Sequence, residues 1–276
     1  MKLKLWLLGL ALPLIPLFAE DALKLQIIHS QNLVQNADFS QLKDNQLPVN
    51  WYFDNCSKSP HFRTTVVNDP SGNYLAVNTE WNKFGYWLQN IPVKEGVYYY
   101  VSCEVQSDNP AVAIWLMANA KKTATVKSPG NIRYFISMAT RHGEDRRQLL
   151  KDFIDENLIP TLSPTQWYRI SQEVIFPLDR EIEVCAMRFG IYGGYAGQGR
   201  FRNPVFREAK AELKVEVAGT GWQEIYIKGA QPERVQVNPD SEKQSFVFIL
   251  PRAKHIYQVV LSGKDGKKIT REIANE

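Results

Sequence analysis

The 276-residue sequence has little of what covalent or metal chemistry usually needs, with three cysteines and four histidines in all. His29, His61, His142 and His255 are scattered and read as surface or loop residues, and the spacing of Cys56, Cys103 and Cys185 fits no zinc pattern. No G-x-S-x-G turn, metal-ligand pair or phosphate loop is present, which argues against the enzyme classes built on them. One-sided charge is lacking too, since 33 basic residues stand against 29 acidic ones. Two of the basic residues, Lys2 and Lys4, fall in a removable leader. The near-neutral remainder does not suit nucleic acid or an anionic membrane as main partner. No apolar run reaches the ~20 residues of a spanning helix, because Pro13 and Pro16 interrupt the one stretch that approaches it. Internal repeats and low-complexity linkers are absent.

What is present begins with that leader. Lys2 and Lys4, an apolar run from Leu5 to Phe18 and a small Ala19 ahead of Glu20 make a secretory signal peptide over residues 1–19, cleaved after Ala19. The expected destination is the medium or the periplasm and cell envelope, with no membrane insertion after cleavage. The remainder is longer than the usual ~100–200 residues of one domain. It is read as a lead-in (20–30), a large domain (31–209) and a small one (210–276).

From Tyr74 onward, short strands alternate with turn residues, the pattern of an all-β sandwich. Strands are expected at Tyr74–Asn78, Tyr86–Val93, Val97–Val105, Ala111–Met117, Ile132–Ala139, Tyr168–Phe176, Glu181–Tyr192 and Arg200–Phe206. Turn chemistry such as Ser128-Pro129-Gly130 and Gly193-Gly194 lies between them. His142–Leu158 breaks the pattern: Leu149, Leu150, Phe153, Ile154 and Leu158 fall at helical spacing, which predicts one short helix laid over the sandwich. After Ala209 the aromatic density falls. Strands at Glu212–Val217, Gln223–Ile227, Arg234–Val237, Ser245–Leu250, His255–Leu261 and Lys267–Ile273 predict a small immunoglobulin-like sandwich.

Successive side chains of a strand point oppositely. In Val97–Val105 the core face is Tyr99, Val101, Cys103 and Val105, leaving Tyr98, Tyr100, Ser102 and Glu104 outward. In Glu181–Tyr192, Cys185, Met187, Phe189 and Ile191 face inward, with Arg188 and Tyr192 opposite. Trp115 points out of its strand. Cys103 and Cys185 are read as packed thiols, with a disulfide between them as the alternative. An outward surface of Tyr100, Glu104, Trp115, Arg188 and Tyr192 suits a saccharide, since rings offer flat area to its C–H face and polar groups bond its hydroxyls. Aromatics also stabilise strands for packing reasons alone. The parity of Trp81, Tyr86 and Trp87 is ambiguous, while Trp51, Trp167 and Trp222 read as core.

The order NLVQNADFS and PVNW, then IPVKEGVYYYVSCEVQS, TQWYRISQEVIFP and FGIYGGYAGQGRFRNPVFREA, resembles the CenC-like, galactose-binding-like carbohydrate-binding modules over about residues 31–208. The resemblance implies a β-jelly-roll opened by the stretch Gln31–Phe53, with a glycan cleft on one face. It also implies a structural calcium ion between the opening strand, at Asp38, and the last strand, where Asn203 stands in place of the family's aspartate.

The function expected is that of a secreted, non-catalytic protein binding a polysaccharide or oligosaccharide. One alternative is a jelly-roll polysaccharide lyase or glycosidase. Hydrolysis needs two carboxylates about 5–9.5 Å apart, and the reconstructed face holds Glu104 alone; a lyase would draw on Arg141, His142, Arg188 and Tyr192. The other alternative is a structural or adhesive envelope protein that binds proteins.

Overall fold

The structure, a computed structural model, describes residues 22–56, 58, 63–80, 85–108, 112–119, 131–137, 163–178, 181–191 and 196–276. The leader, the helix expected at His142–Leu158, and Trp81 and Tyr192 lie outside the described residues.

The larger of two compact units holds His29–Ala211, Leu250–Ile256 and Ala274–Glu276. Its strands form two five-stranded sheets. The first is ordered β2 (Tyr52–Asp54), β5 (Tyr86–Pro92), β10 (Val184–Ile191), β7 (Val112–Asn119), β8 (Asn131–Ser137). The second is ordered β3 (Arg63–Val67), β4 (Tyr74–Thr79), β11 (Gly197–Glu208), β6 (Tyr98–Ser107), β9 (Tyr168–Ile175). Neighbouring strands run antiparallel, and the chain crosses between sheets from β5 to β6, back at β7, and again at β9, β10 and β11. This is a jelly-roll sandwich. All eight strands expected in this part of the sequence form, and β2 and β3 are additional.

Alternation drives the two sheets together. Cys185, Met187, Phe189 and Ile191 of β10 are all buried, as are Trp87 and Ile91 of β5. Phe189 stacks on Trp51 at 5.1 Å and on Phe201 of the facing sheet at 5.3 Å. Aromatic rings of this size each remove roughly 150–250 Å² from water, so these stacks dominate the core.

The opening stretch departs from the expectation of an entry strand. Between His29 and Tyr52 the backbone makes turns and one isolated bridge, Leu42 to Pro48. Asn36, Phe39, Gln46 and Asn50 all have positive φ, of 50°, 53°, 62° and 66°, which a strand cannot accommodate. Side chains take over the work of a ladder. The Asn36 amide donates to the Gln41 and Val49 carbonyls, and its oxygen accepts from Gln41 N. Buried Gln89 of β5 accepts from Gln35 N and donates to the Gln35 and Asn50 carbonyls. Asn32 bridges Pro204 O and Phe206 N. The loop is thereby held over the core end, with Phe39 and Trp51 fully buried.

The smaller unit comprises residues up to Ile28, Glu212–Ile249 and Tyr257–Ile273. A three-stranded sheet, β1 (Leu23–His29), β12 (Ala211–Ala218), β15 (Lys243–Leu250), accompanies a four-stranded one, β14 (Arg234–Gln236), β13 (Trp222–Ile227), β16 (His255–Gly263), β17 (Lys268–Asn275). The strand order is that of a small immunoglobulin-like sandwich. In β12, Ala211, Leu213, Val215 and Val217 are buried at every second position. The lead-in, which carried no structural assignment, supplies β1.

Cys103 and Cys185 are both buried and both free. They sit on strands of opposite sheets. Cys103 Sγ donates to the Arg202 carbonyl at 3.1 Å. Burial raises both thiols, Cys185 to about 12.

Candidate functional site

The outward face of the first sheet carries the candidate site. Cross-strand register aligns Tyr52, Leu88, Arg188 and Trp115 in one row across β2, β5, β10 and β7. The next row on one side is Asp54, Tyr86 and Gly190; on the other it is Asn90, Ala186, Met117 and Arg133. The central strand β10 thus presents Ala186 between Asn90 of β5 and Met117 of β7, and Gly190 beside Tyr86 of β5. A groove results. Its hollow has a volume of about 370 Å³ and is lined by Leu88, Asn90, Met117, Glu181, Glu183, Val184, Ala186 and Arg188.

One end of the groove is a packed aromatic and cationic group. The Arg188 guanidinium lies 4.5 Å from the Tyr86 ring centroid, and Trp115 meets Tyr86 edge-on at 5.3 Å and 79°. The Tyr86 hydroxyl donates to Asp54 Oδ2 at 3.0 Å. Burial, followed by a hydrogen bond with Cys56, raises the Tyr86 phenol well above its ordinary range, against the opposing charge of Arg188. Tyr86 therefore stays protonated and fixed. The Arg188 Nε–H is buried without an acceptor.

The residues expected to bind together are divided by the sandwich. Trp115 and Arg188 are direct cross-strand partners. Tyr100 and Glu104 point outward as their parity requires, but β6 belongs to the second sheet, so they face away from the other side of the sandwich. Tyr100 is 2% exposed, covered with Ala209 and Ala253 and flanked by Arg207, whose guanidinium lies 4.7 Å from its ring. Leu250–Ile256 is fastened over this face: Arg252 pairs with Glu173, and Ala253 N donates to Glu173 Oε2 at 2.7 Å. Tyr100 is thus a packing residue, contrary to the expectation of an open ligand contact. Glu104 is held by Arg202 at 2.6 Å, and Arg202 lies 4.1 Å from the Trp167 ring. Trp167 is half-buried on this outer face, a correction to its reading as core; Trp51 and Trp222 are core.

Tyr86, Leu88 and Tyr52 were missed as members of the site face. Tyr52 is 57% exposed beside Lys43, whose Nζ lies 4.9 Å from its ring centroid. The signal for Tyr86 was available only as parity, which Trp87, fully buried, now fixes.

The calcium position implied between Asp38 and Asn203 gathers no cluster of carboxylates among the described residues. Asp38 Oδ1 accepts from the N–H and hydroxyl of Ser40 in its own turn, and Asn203 occupies a bulge of β11 at φ 51°. Among the described residues no group of three or more His, Cys, Asp or Glu side chains converges for any metal, and Ca²⁺ wants several oxygens including carboxylates.

No protein-family model matches the chain, and no curated protein matches it. Similarities appear among solved structures. The family 11 carbohydrate-binding module of a cellulosomal cellulase of Clostridium thermocellum is 16% identical, over 66% of this chain and 96% of that one, with a TM-score of 0.34. TmCBM61 in complex with beta-1,4-galactotriose is 12% identical, over 65% and 99%, at 0.36. A second family 16 carbohydrate-binding module is 10% identical, over 64% and 100%, at 0.39. The fold itself rests on the strand order of this chain.

Proposed function

We propose that the groove along β10 binds a saccharide and that the protein is an exported, non-catalytic glycan-binding protein. The observation that carries this reading is the Tyr86–Trp115–Arg188 group, whose Arg188 lines a hollow of about 370 Å³ together with Leu88, Asn90, Met117 and Ala186. Ring faces and edges supply apolar area for sugar C–H groups, while Asn90, Glu181, Glu183 and Arg188 supply donors and acceptors for hydroxyls. Each half-buried ring contributes on the order of 1–2 kcal/mol, which gives the modest affinity suited to a polymer ligand. Export rests on residues 1–19 acting as a cleaved leader. The test is affinity electrophoresis of the exported chain in gels containing plant, algal and bacterial polysaccharides. At least one polysaccharide should retard the wild type and retard Trp115→Ala less, with no release of new reducing ends. Absence of retardation across the whole set would refute the reading.

A further inference from the structure

We propose that the groove prefers acidic glycans, with an anionic substituent of a sugar ring, carboxylate or sulfate, seated on Arg188. The inference deepens the reading of the groove as a saccharide site and rests on it. Its basis is a comparison among arginines of this one molecule. Among the described residues six guanidinium groups lie over aromatic rings: Arg188, Arg200, Arg202, Arg207, Arg234 and Arg252. Five of them also donate to an oxygen of the chain. Arg200 bonds Gln106 and Gln198, Arg202 bonds Glu104, Arg207 bonds the Glu208 carbonyl, Arg234 bonds Glu224, and Arg252 bonds Glu173. Arg188 has no acceptor among the described residues, and its Nε–H is buried without one. It is also the one of the six that lines the hollow.

A half-buried cation held on a ring, with its fork of donors unspent, is prepared for a planar or tetrahedral oxyanion. The stack on Tyr86, itself tied to Asp54, fixes the guanidinium plane before any ligand arrives, which lowers the ordering cost of binding. Among the described residues no acidic side chain bonds Arg188. Glu183 precedes Arg188 by five residues along an extended segment, so their Cα atoms stand roughly 17 Å apart at the rise of a strand, towards opposite ends of the hollow that both residues line. Glu181 lies further along the chain. Asp54, bonded by the Tyr86 hydroxyl, lies in the adjoining row on one side, and exposed Arg133 adds a second positive charge in the row on the other. The groove is therefore polar along its length, cationic at the Trp115 end and anionic at the Glu181 end. It suits an oligosaccharide with its charged substituent at one end and free hydroxyls at the other.

Two matched pairs of probes separate the sources of the anion and separate this inference from the reading beneath it. The first is a galacto-oligosaccharide carrying one terminal galacturonate and its carboxyl-reduced neutral form; the second is a galacto-oligosaccharide carrying one terminal sulfate and its desulfated form. Titration calorimetry in low salt should show one anionic member binding at least about tenfold tighter than its neutral partner, the step of one charge-assisted bond. That preference should vanish in Arg188→Gln, persist in part in Arg188→Lys and shrink with added salt. Melting temperatures within a few degrees of wild type show that the variants fold; if Arg188→Gln does not, Arg188→Lys and the salt series decide. Equal or tighter binding of both neutral members overturns the inference and leaves the groove as a saccharide site. Failure of all four probes and of the polysaccharide set overturns both.

Discussion

Gly190 and Trp115 leave no room for a methyl group between them: a Cβ at Gly190 would stand 2.9 Å from Trp115 Cη2 and 3.0 Å from the Gly85 carbonyl oxygen. The indole lies down on the central strand because that position has no side chain. Gly190→Ala should therefore lift Trp115 off the sheet and disturb its edge contact with Tyr86. Overpacking of this kind costs about 1–3 kcal/mol. Urea unfolding should report that loss, and affinity gels should show retardation reduced as far as by Trp115→Ala. Wild-type stability together with wild-type retention would mean that the indole does not depend on Gly190.

The three thiols should separate cleanly by exposure. Cys56 is exposed and Cys103 and Cys185 are buried, with burial raising both buried thiols above the ordinary thiol range. At pH 8 a thiol reagent should label one cysteine per native chain, and three after unfolding without reductant. A count of one in the unfolded, unreduced protein would instead mean a disulfide.

Glu104 and Arg202 form an ion pair whose side chains are 30% and 16% exposed. Glu104→Gln should cost about 1 kcal/mol. Arg202→Ala should cost about 1–2 kcal/mol, because it also removes the guanidinium from Trp167 and the bond to Ser71. The double variant should lose less than the sum. Since this pair belongs to the second sheet, neither change should alter polysaccharide retardation; a loss at Glu104→Gln would return the ligand to that face.

His29 is lowered from its ordinary pKa, first by burial and then by the Arg207 charge, against a raising hydrogen bond with Asn275. As pH falls through about 6.5 the unfolded chain takes the proton first. Stability is therefore full above that pH and is lost as acid is added. His29→Gln should lose less stability than wild type between pH 7 and pH 5 in urea unfolding, and parallel curves would remove His29 as a contributor.

The strand series was legible because period-two patterning and turn residues are local properties. All the strands expected from Tyr74 onward formed, within a few residues at their ends. Val97–Val105 became Tyr98–Ser107, and Ile132–Ala139 became Asn131–Ser137. The leading strand Leu23–His29 was passed over as a lead-in. β2, three residues long, is too short to show a period. The opening stretch looked strand-like from Leu33, Val34 and Phe39, yet positive φ at Asn36 and Phe39 and the side-chain bonds of Asn36 and Gln89 make it a stapled loop.

The sequence by itself determined which side chains leave the core: parity along β6, β7 and β10 put Tyr100, Glu104, Trp115 and Arg188 outward, and outward they are. It could not determine which outside. Alternation reports a side chain's direction relative to its own sheet, whereas the crossover from β5 to β6 and back to β7 assigns the sheet. That assignment depends on hydrogen bonds between segments distant in sequence, such as β10 with β7. Tertiary structure alone therefore paired Arg188 with Trp115, brought Tyr86 beside them, and buried Tyr100 beneath Ala253.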